Sequence, residues 1–78
     1  MPTIIRSGPY RVFFFSNEGD EPPHVHVQRE RLIAKYWLSP ITMAANQGFR
    51  GVELGRIEAI LIVNEDSLLE AWHEHFDS

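Results

Sequence analysis

The hydrophobic period of this sequence changes once, near Pro40, and the change limits the folds that the chain can adopt. Before it, short apolar runs are continuous or alternate with polar residues, a pattern typical of β-strands. From Val52 onward, apolar residues recur at i, i+3 and i+4, which is typical of amphipathic helices. Since 78 residues leave room for one domain, the sequence predicts a single α+β domain over residues 1–78, strand-rich over 1–40 and helical over 52–76.

The strand-rich part predicts a small antiparallel β-meander of three or four strands. Thr3–Arg6 is a candidate edge strand, and Tyr10–Ser16 is rich in the aromatic and β-branched residues of a buried strand. His24–Arg29 alternates strictly, and Leu32–Leu38 follows after a two-residue connection, which favours a hairpin. Ile41–Gly51 shows no clear period, so we expect an irregular connection with a short strand or turn there.

The helical part predicts two C-terminal α-helices packed on one face of the sheet. The first has an apolar stripe at Leu54, Ile57, Ile60 and Leu61. The second, over Glu65–Phe76, has its own stripe at Leu68, Leu69, Trp72 and Phe76. Asn64 is a candidate N-cap for the second helix, although the two segments could equally form one kinked helix.

The pair His24 and His26 is the strongest chemical feature of the sequence. Residues i and i+2 of a strand point to the same side, about 6.5–7 Å apart. Antiparallel pairing across the two-residue connection places His26 opposite Lys35 and His24 opposite Trp37. The opposite face, expected to pack against the helices, then consists of Val25, Val27, Ala34 and Tyr36. A one-residue slip would reverse the facing of the second strand, and the histidine face is expected to be open.

A metal site is the first interpretation of the pair. Two histidines need at least one further ligand, and our metal hypothesis joins His24 and His26 with His73. Other candidate ligands are His75, Glu18, Asp20 and Glu21. Because the chain has no cysteine, the donors are nitrogen and oxygen, which suits a divalent transition metal such as zinc, nickel, iron or manganese.

Metal-free catalysis is the second interpretation. Two imidazoles near neutral pKa could cleave RNA as general base and general acid, with Lys35, Arg29 or Arg11 stabilising the charge that develops on the phosphate. The candidate catalytic residues are thus His24, His26 and Lys35. In the third interpretation the histidines are half-exposed strand residues without chemistry, so the residues leave open whether the protein is an enzyme.

The loop over Asn17–Pro23 contains three carboxylates and two prolines. The spacing of its carboxylates matches no calcium-binding loop, which requires oxygen ligands at alternating positions. We therefore expect a solvated loop, stiffened by its prolines before the histidine strand.

Charge is distributed unevenly along the chain. Residues 1–39 hold five basic and four acidic residues, whereas residues 40–78 hold two basic and seven acidic ones. This balance disfavours broad nucleic-acid affinity and leaves the second half suited to a basic partner protein. No apolar run approaches the roughly 20 residues of a membrane span, and no secretory signal is evident, so a cytoplasmic protein without membrane association is expected.

Three segments together resemble a known family. They are Gly8–Val27, which contains Pro-Pro-His-Val-His-Val, Ala34–Leu38 and Leu68–Glu74. They resemble a small bacterial family catalogued as domain of unknown function 4160, over almost the entire chain. Two positions depart from its pattern. Ser39 stands where Asp commonly precedes the proline, and Arg50 stands where Ser often opens the first helix.

The resemblance implies a small cytoplasmic component of a toxin–antitoxin-like two-gene module. Such a component would act through a small partner protein encoded nearby, with RNA as a second candidate partner, and His24 and His26 would form its site. The alternative is a non-catalytic metal-binding or protein-interaction adaptor domain. His24, His26 and His73 all fall on family motifs and are the positions to test. A domain this small also gains stability from a partner subunit, so the sequence leaves open whether the protein forms a homo-oligomer.

Overall fold

The computed structural model describes residues 3–77, so three terminal residues of the predicted domain lie outside the described residues. Five strands precede two helices. The strands are β1 (Thr3–Ser7), β2 (Tyr10–Phe13), β3 (His24–Arg29), β4 (Leu32–Leu38) and β5 (Ile41–Gln47). The helices are α1 (Gly51–Val63) and α2 (Glu65–Phe76). Within residues 3–77, no helix is both long enough and apolar enough to cross a membrane.

The sheet is a five-stranded antiparallel meander in the order β1-β2-β3-β4-β5. Each strand pairs with its neighbour in sequence, because the connections are too short for a crossover. Gly8, in the β1–β2 turn, and Glu30, in the β3–β4 turn, adopt positive φ values of 57° and 56°. Glycine tolerates that conformation, whereas Glu30 is held there by the hairpin on either side of it. The α+β class and the meander are as predicted.

The predicted strand count of three or four is too low, because β5 forms where we expected an irregular connection. All its residues except Ile41 are exposed. Without a buried face, no apolar alternation appears in the sequence of β5. Its backbone pairs along the length of β4 instead, with a register shift between Lys35 and Tyr36. The strand is therefore specified by its partner and not by its own pattern.

The predicted register of the β3–β4 hairpin is confirmed. His24 pairs with Trp37, and His26 pairs with Lys35. The opposite face of the hairpin forms the core as expected, against apolar side chains of both helices. The buried core that results includes Val25, Val27, Ala34 and Tyr36 from the hairpin and Ile57, Leu61 and Leu68 from the helices.

Two helices form, not one kinked helix, and Asn64 lies between them as the C-cap of α1 and the N-cap of α2. The Asn64 side-chain amide donates to the carbonyl of Ile60 at 2.8 Å. Asn64 occupies the N-cap position of α2 as predicted, and its carbonyl accepts from the Leu68 N–H at 2.9 Å, but its side chain makes no cap bond to α2. The reason is conformational: Asn64 has φ −105° and ψ 11°, outside the extended region from which a cap side chain reaches forward.

Polar contacts attach α1 to the sheet at two points. Arg29 donates from Nε and Nη2 to the two oxygens of Glu53, at 2.7 and 2.6 Å. The Tyr10 hydroxyl donates to the same carboxylate at 2.9 Å, and the Tyr36 hydroxyl donates to Glu58 at 3.0 Å. The hydrogen bonds from Arg29 lower the pKa of Glu53 below its usual range, against the opposing effect of burial. Arg50 supplies no side-chain cap at the start of α1, so this carboxylate secures that end of the helix.

Replacing Glu53 with Gln should lower the melting temperature by several degrees at pH 7. Since the folded-state pKa of Glu53 is depressed, its ionised form adds stability above its unfolded pKa of about 4.3. That contribution is lost as the pH falls through the lower folded-state value. The difference between wild type and E53Q should therefore shrink in thermal unfolding curves recorded below about pH 4. The exposed Glu70→Gln serves as control and should show little difference at either pH; an equal loss in both variants would contradict the role of Glu53.

Candidate functional site

His24 begins β3 and is fully buried on the sheet face opposite the helix-packed core. Two tryptophan rings cover it. Trp37 from β4 lies 5.7 Å away between ring centroids, and Trp72 from α2 lies 4.9 Å away. The prediction of an open histidine face is therefore wrong for His24, because a helix side chain reaches round the sheet and closes over the ring.

His26 lies at the accessible side of the same face, with 13% of its side chain exposed. The rings of Phe13 and Phe15 lie 5.4 and 5.1 Å from the imidazole. Lys35, its partner across the hairpin, donates to Glu21 at 2.6 Å and lies 4.6 Å from the centre of the Trp37 ring. The centroids of the two imidazole rings are 5.3 Å apart, and the ring planes are nearly perpendicular. The two histidines therefore lie side by side on one face, as the strand spacing predicts.

Glu18 brings a carboxylate from the β2–β3 loop between the two imidazoles. Its Oε2 lies 3.0 Å from Nε2 of His24 and 3.0 Å from Nε2 of His26. The backbone N–H of Phe15 donates to its Oε1 at 2.9 Å and holds the side chain inward. The prediction of a solvated loop is therefore wrong for Glu18, whose side chain is only 15% exposed.

The Glu18 carboxylate is ionised at neutral pH. Burial alone would raise its pKa, but the hydrogen bond from the Phe15 N–H and the contacts with both imidazoles together lower it. A bound cation would stabilise this largely buried carboxylate, which lies next to two imidazole nitrogens.

The protonation of His24 is constrained by Pro22. Its Nδ1 lies 3.0 Å from the Pro22 carbonyl oxygen, which can only accept, so Nδ1 carries the hydrogen. Nε2 is then the ring nitrogen that points towards the Glu18 carboxylate, 3.0 Å from its Oε2. The 3.0 Å separation satisfies the distance of an ion pair, yet the buried Nε2 has no partner that meets the directional criterion for a hydrogen bond. Hydrogen bonds weaken steeply when misaligned, so this contact leaves the buried Nε2 without an effective hydrogen bond.

The three donor atoms fit a transition-metal ion. Nε2 of His24, Nε2 of His26 and a Glu18 oxygen all lie within 4.8 Å of one another. Ligands at 2.0–2.2 Å in tetrahedral geometry are separated by about 3.3–3.6 Å, so the 3.0 Å contacts need only small adjustments. The Nδ1 contact of His24 with a backbone carbonyl is also the outer-shell contact that orients metal-bound histidines.

His73, the third ligand in our metal hypothesis, lies outside this cluster. It is on the exposed side of α2, where its Nδ1 contacts Asp77 at 2.6 Å and half of the side chain is exposed. His75 packs its ring 5.3 Å from Phe14. The side chain that lies against both imidazoles is Glu18. It was one of the alternative ligands in the sequence, and no spacing rule separated it from Asp20 and Glu21.

Gly19 allows the loop that holds Glu18 to pack against α2. A β-carbon at Gly19 would lie 2.7 Å from Cδ1 of Phe76. That ring belongs to an aromatic cluster with Phe14, 5.3 Å away, and Trp72, 4.2 Å away. The sequence predicts the loop but not this close approach, which is possible because glycine has no side chain.

Comparison with known proteins identifies one family. The family model described as Domain of unknown function (DUF4160) matches residues 10–73, which include Glu18, His24 and His26. No curated protein and no solved structure matches the chain.

Gly19→Ala should destabilise the protein by about 1 kcal/mol or more, because the added methyl group overpacks the contact with Phe76. Gly55→Ala is the matched control. It lies in exposed α1 with no atom within 4 Å of the added carbon, so it should stabilise by about 0.5–1 kcal/mol. Thermal unfolding followed by circular dichroism measures both changes. Equal melting temperatures for G19A and wild type would contradict the packing of the loop against Phe76.

Proposed function

The chain belongs to the DUF4160 family, and we propose that its function is to bind a divalent transition-metal ion through Glu18, His24 and His26. One observation carries the proposal: the buried Nε2 of His24 has no aligned hydrogen bond and faces an ionised carboxylate. Leaving such a group unsatisfied costs about 1–3 kcal/mol, and a metal ion between the two would remove that cost.

The ligand set supports a site with open coordination positions. Structural zinc sites use four protein ligands, whereas sites that bind an exogenous ligand use three and leave the remainder to water or substrate. Two histidines and one carboxylate suit zinc or ferrous iron, and nickel and manganese are compatible with the same donors. Bound metal would act as a Lewis acid towards a molecule at the open position.

The geometry supports metal binding over metal-free RNA cleavage by the histidine pair. A general base must come within hydrogen-bonding distance of the proton that it removes. His24 is fully buried beneath two tryptophans, so a ribose hydroxyl does not reach it in this conformation. Lys35 is also engaged by Glu21.

Protein purified without a polyhistidine tag should bind one equivalent of Zn²⁺ in calorimetric titration. Glu18→Gln and His26→Gln should each weaken binding at least tenfold, since even outer-shell changes cost about 10–100-fold. His73→Gln is the matched control and should bind as wild type does, because its side chain lies outside the cluster. Both ligand variants keep side chains of similar volume, which protects the fold where His24→Ala would open a buried cavity.

Metal should also stabilise the fold. At a Zn²⁺ concentration of 100 times Kd, the expected gain is about 2.7 kcal/mol, or roughly 10–20 °C in melting temperature for a domain of this size. A chelator should reverse it. Wild-type protein that binds no Zn²⁺, Co²⁺, Ni²⁺, Mn²⁺ or Fe²⁺ would refute the proposal, and loss of binding in H73Q alone would favour the His24, His26 and His73 set.

The toxin–antitoxin-like role, with a partner protein and RNA, stays a prediction. One observation favours a protein partner: the outer surface of α1 exposes Val52, Ile62 and Val63 at 72%, 60% and 83%. Exposed apolar side chains grouped on one helix are typical of interaction surfaces.

Induced expression in a bacterial host should slow growth if the toxin role holds. Replacing His24 and His26 together with Ala should relieve the effect, and co-expression of the neighbouring gene should rescue the wild type. Growth curves with matched protein levels on immunoblots make the comparison. Unaffected growth at strong expression would count against the toxin role while leaving the metal proposal in place.

A further inference from the structure

A groove lies beside His26 on the sheet face that carries the metal-ligand cluster. Its volume is about 330 Å³, and its lining includes Phe15, His26, Ile33, Lys35, Ala45 and Gln47. The groove is open on the side of β5, because that edge strand has exposed side chains and no strand beyond it. Ligand sites for small molecules begin at about 300 Å³, so the groove suits a compact molecule.

The groove adjoins the cluster at His26. His24 is fully buried under Trp37 and Trp72, which close that side. His26 is a proposed ligand and also part of the groove wall. His26 is thus the residue that the groove shares with the cluster, and a molecule extending past it would approach the coordination positions that a three-ligand set leaves open.

The charges around the groove favour a single negative charge on the bound molecule. A divalent metal with the Glu18 carboxylate leaves one net positive charge. Lys35, the basic residue of the lining, is already neutralised by Glu21 at 2.6 Å. A phosphate or another polyanion would need further cations that the lining does not supply.

The walls of the groove favour an apolar body on that molecule. Phe15, Ile33 and Ala45 present hydrocarbon surface, and Phe15 is 38% exposed, which leaves its ring available for contact. Gln47 and Lys35 supply polar atoms at the rim. An apolar ring or chain that binds in the groove has its surface removed from water, which favours binding.

We infer that this groove binds a small monocarboxylate with an apolar body, whose carboxylate coordinates the metal ion beside His26. The inference rests on the proposed metal site. It adds the class of ligand that the open coordination position accepts.

The test compares two carboxylates on the Co²⁺-loaded protein, since the visible absorption of Co²⁺ reports changes in its ligands. Benzoate and acetate have the same donor group, but only benzoate has a ring to fill the groove. Benzoate should change the spectrum with a Kd at least tenfold lower than that of acetate.

Two phenylalanine substitutions on β5 locate the effect. Ala45→Phe fills the groove and should weaken benzoate binding at least tenfold while leaving the Co²⁺ affinity unchanged, because Ala45 is not one of the proposed metal ligands. Ala44→Phe is the matched control: it places the same bulk on the same exposed strand, outside the lining, and should leave benzoate binding unchanged.

The outcomes separate the two proposals. If the wild type does not bind Co²⁺, or if Glu18→Gln binds it equally well, the metal site itself is refuted. If Co²⁺ binds but benzoate is no tighter than acetate, or A45F and A44F behave alike, the groove is not the ligand site while the metal site stands. Circular dichroism and Co²⁺ affinity of A45F establish that the variant is folded.

Discussion

The register of the β3–β4 hairpin is the constraint on which both faces of this small sheet depend. Because side chains alternate along a strand, one register places Val25 and Tyr36 in the core and His24 and His26 on the other face. A shift of one residue would expose the apolar set and bury the polar one. The hydrophobic surface buried against α1 and α2 therefore selects the arrangement that brings the two imidazoles together.

The second face of the sheet is partly covered by side chains from α2 and from the β2–β3 loop. Trp72 from α2 lies over His24, and Glu18 from the β2–β3 loop lies against both imidazoles. A carboxylate and an imidazole are costly to bury singly, and their mutual contact offsets part of that cost. The remaining deficit is the Nε2 atom of His24, which is buried beside the carboxylate without an aligned hydrogen bond. That deficit connects the stability of the fold with the proposed binding of a cation.

The candidate metal site and the groove differ in accessibility. This difference would give His24 and His26 different roles in the proposed metal binding. His24 is held beneath tryptophan rings with its tautomer set by Pro22, as suits a ligand that must not move. His26 faces the groove next to an exposed edge strand, as suits a ligand beside an exchangeable position. Val52 and Val63 of α1 are exposed outside both regions, and the proposed protein partner would dock there.

Local periodicity determined much of the fold. The alternation in His24–Arg29 predicted the hairpin register and the shared histidine face, and the helical spacing after Val52 predicted both helices. Such patterns work because they record which side chains face the core within one element. Tertiary structure alone decided that β5 is a strand, since its hydrogen bonds come from β4 and it has no buried face of its own. It also decided that Glu18, and not His73, approaches the imidazoles, and that Trp72 covers His24. These placements depend on how a loop and a helix dock across the sheet, and spacing within a single element contains no information about docking.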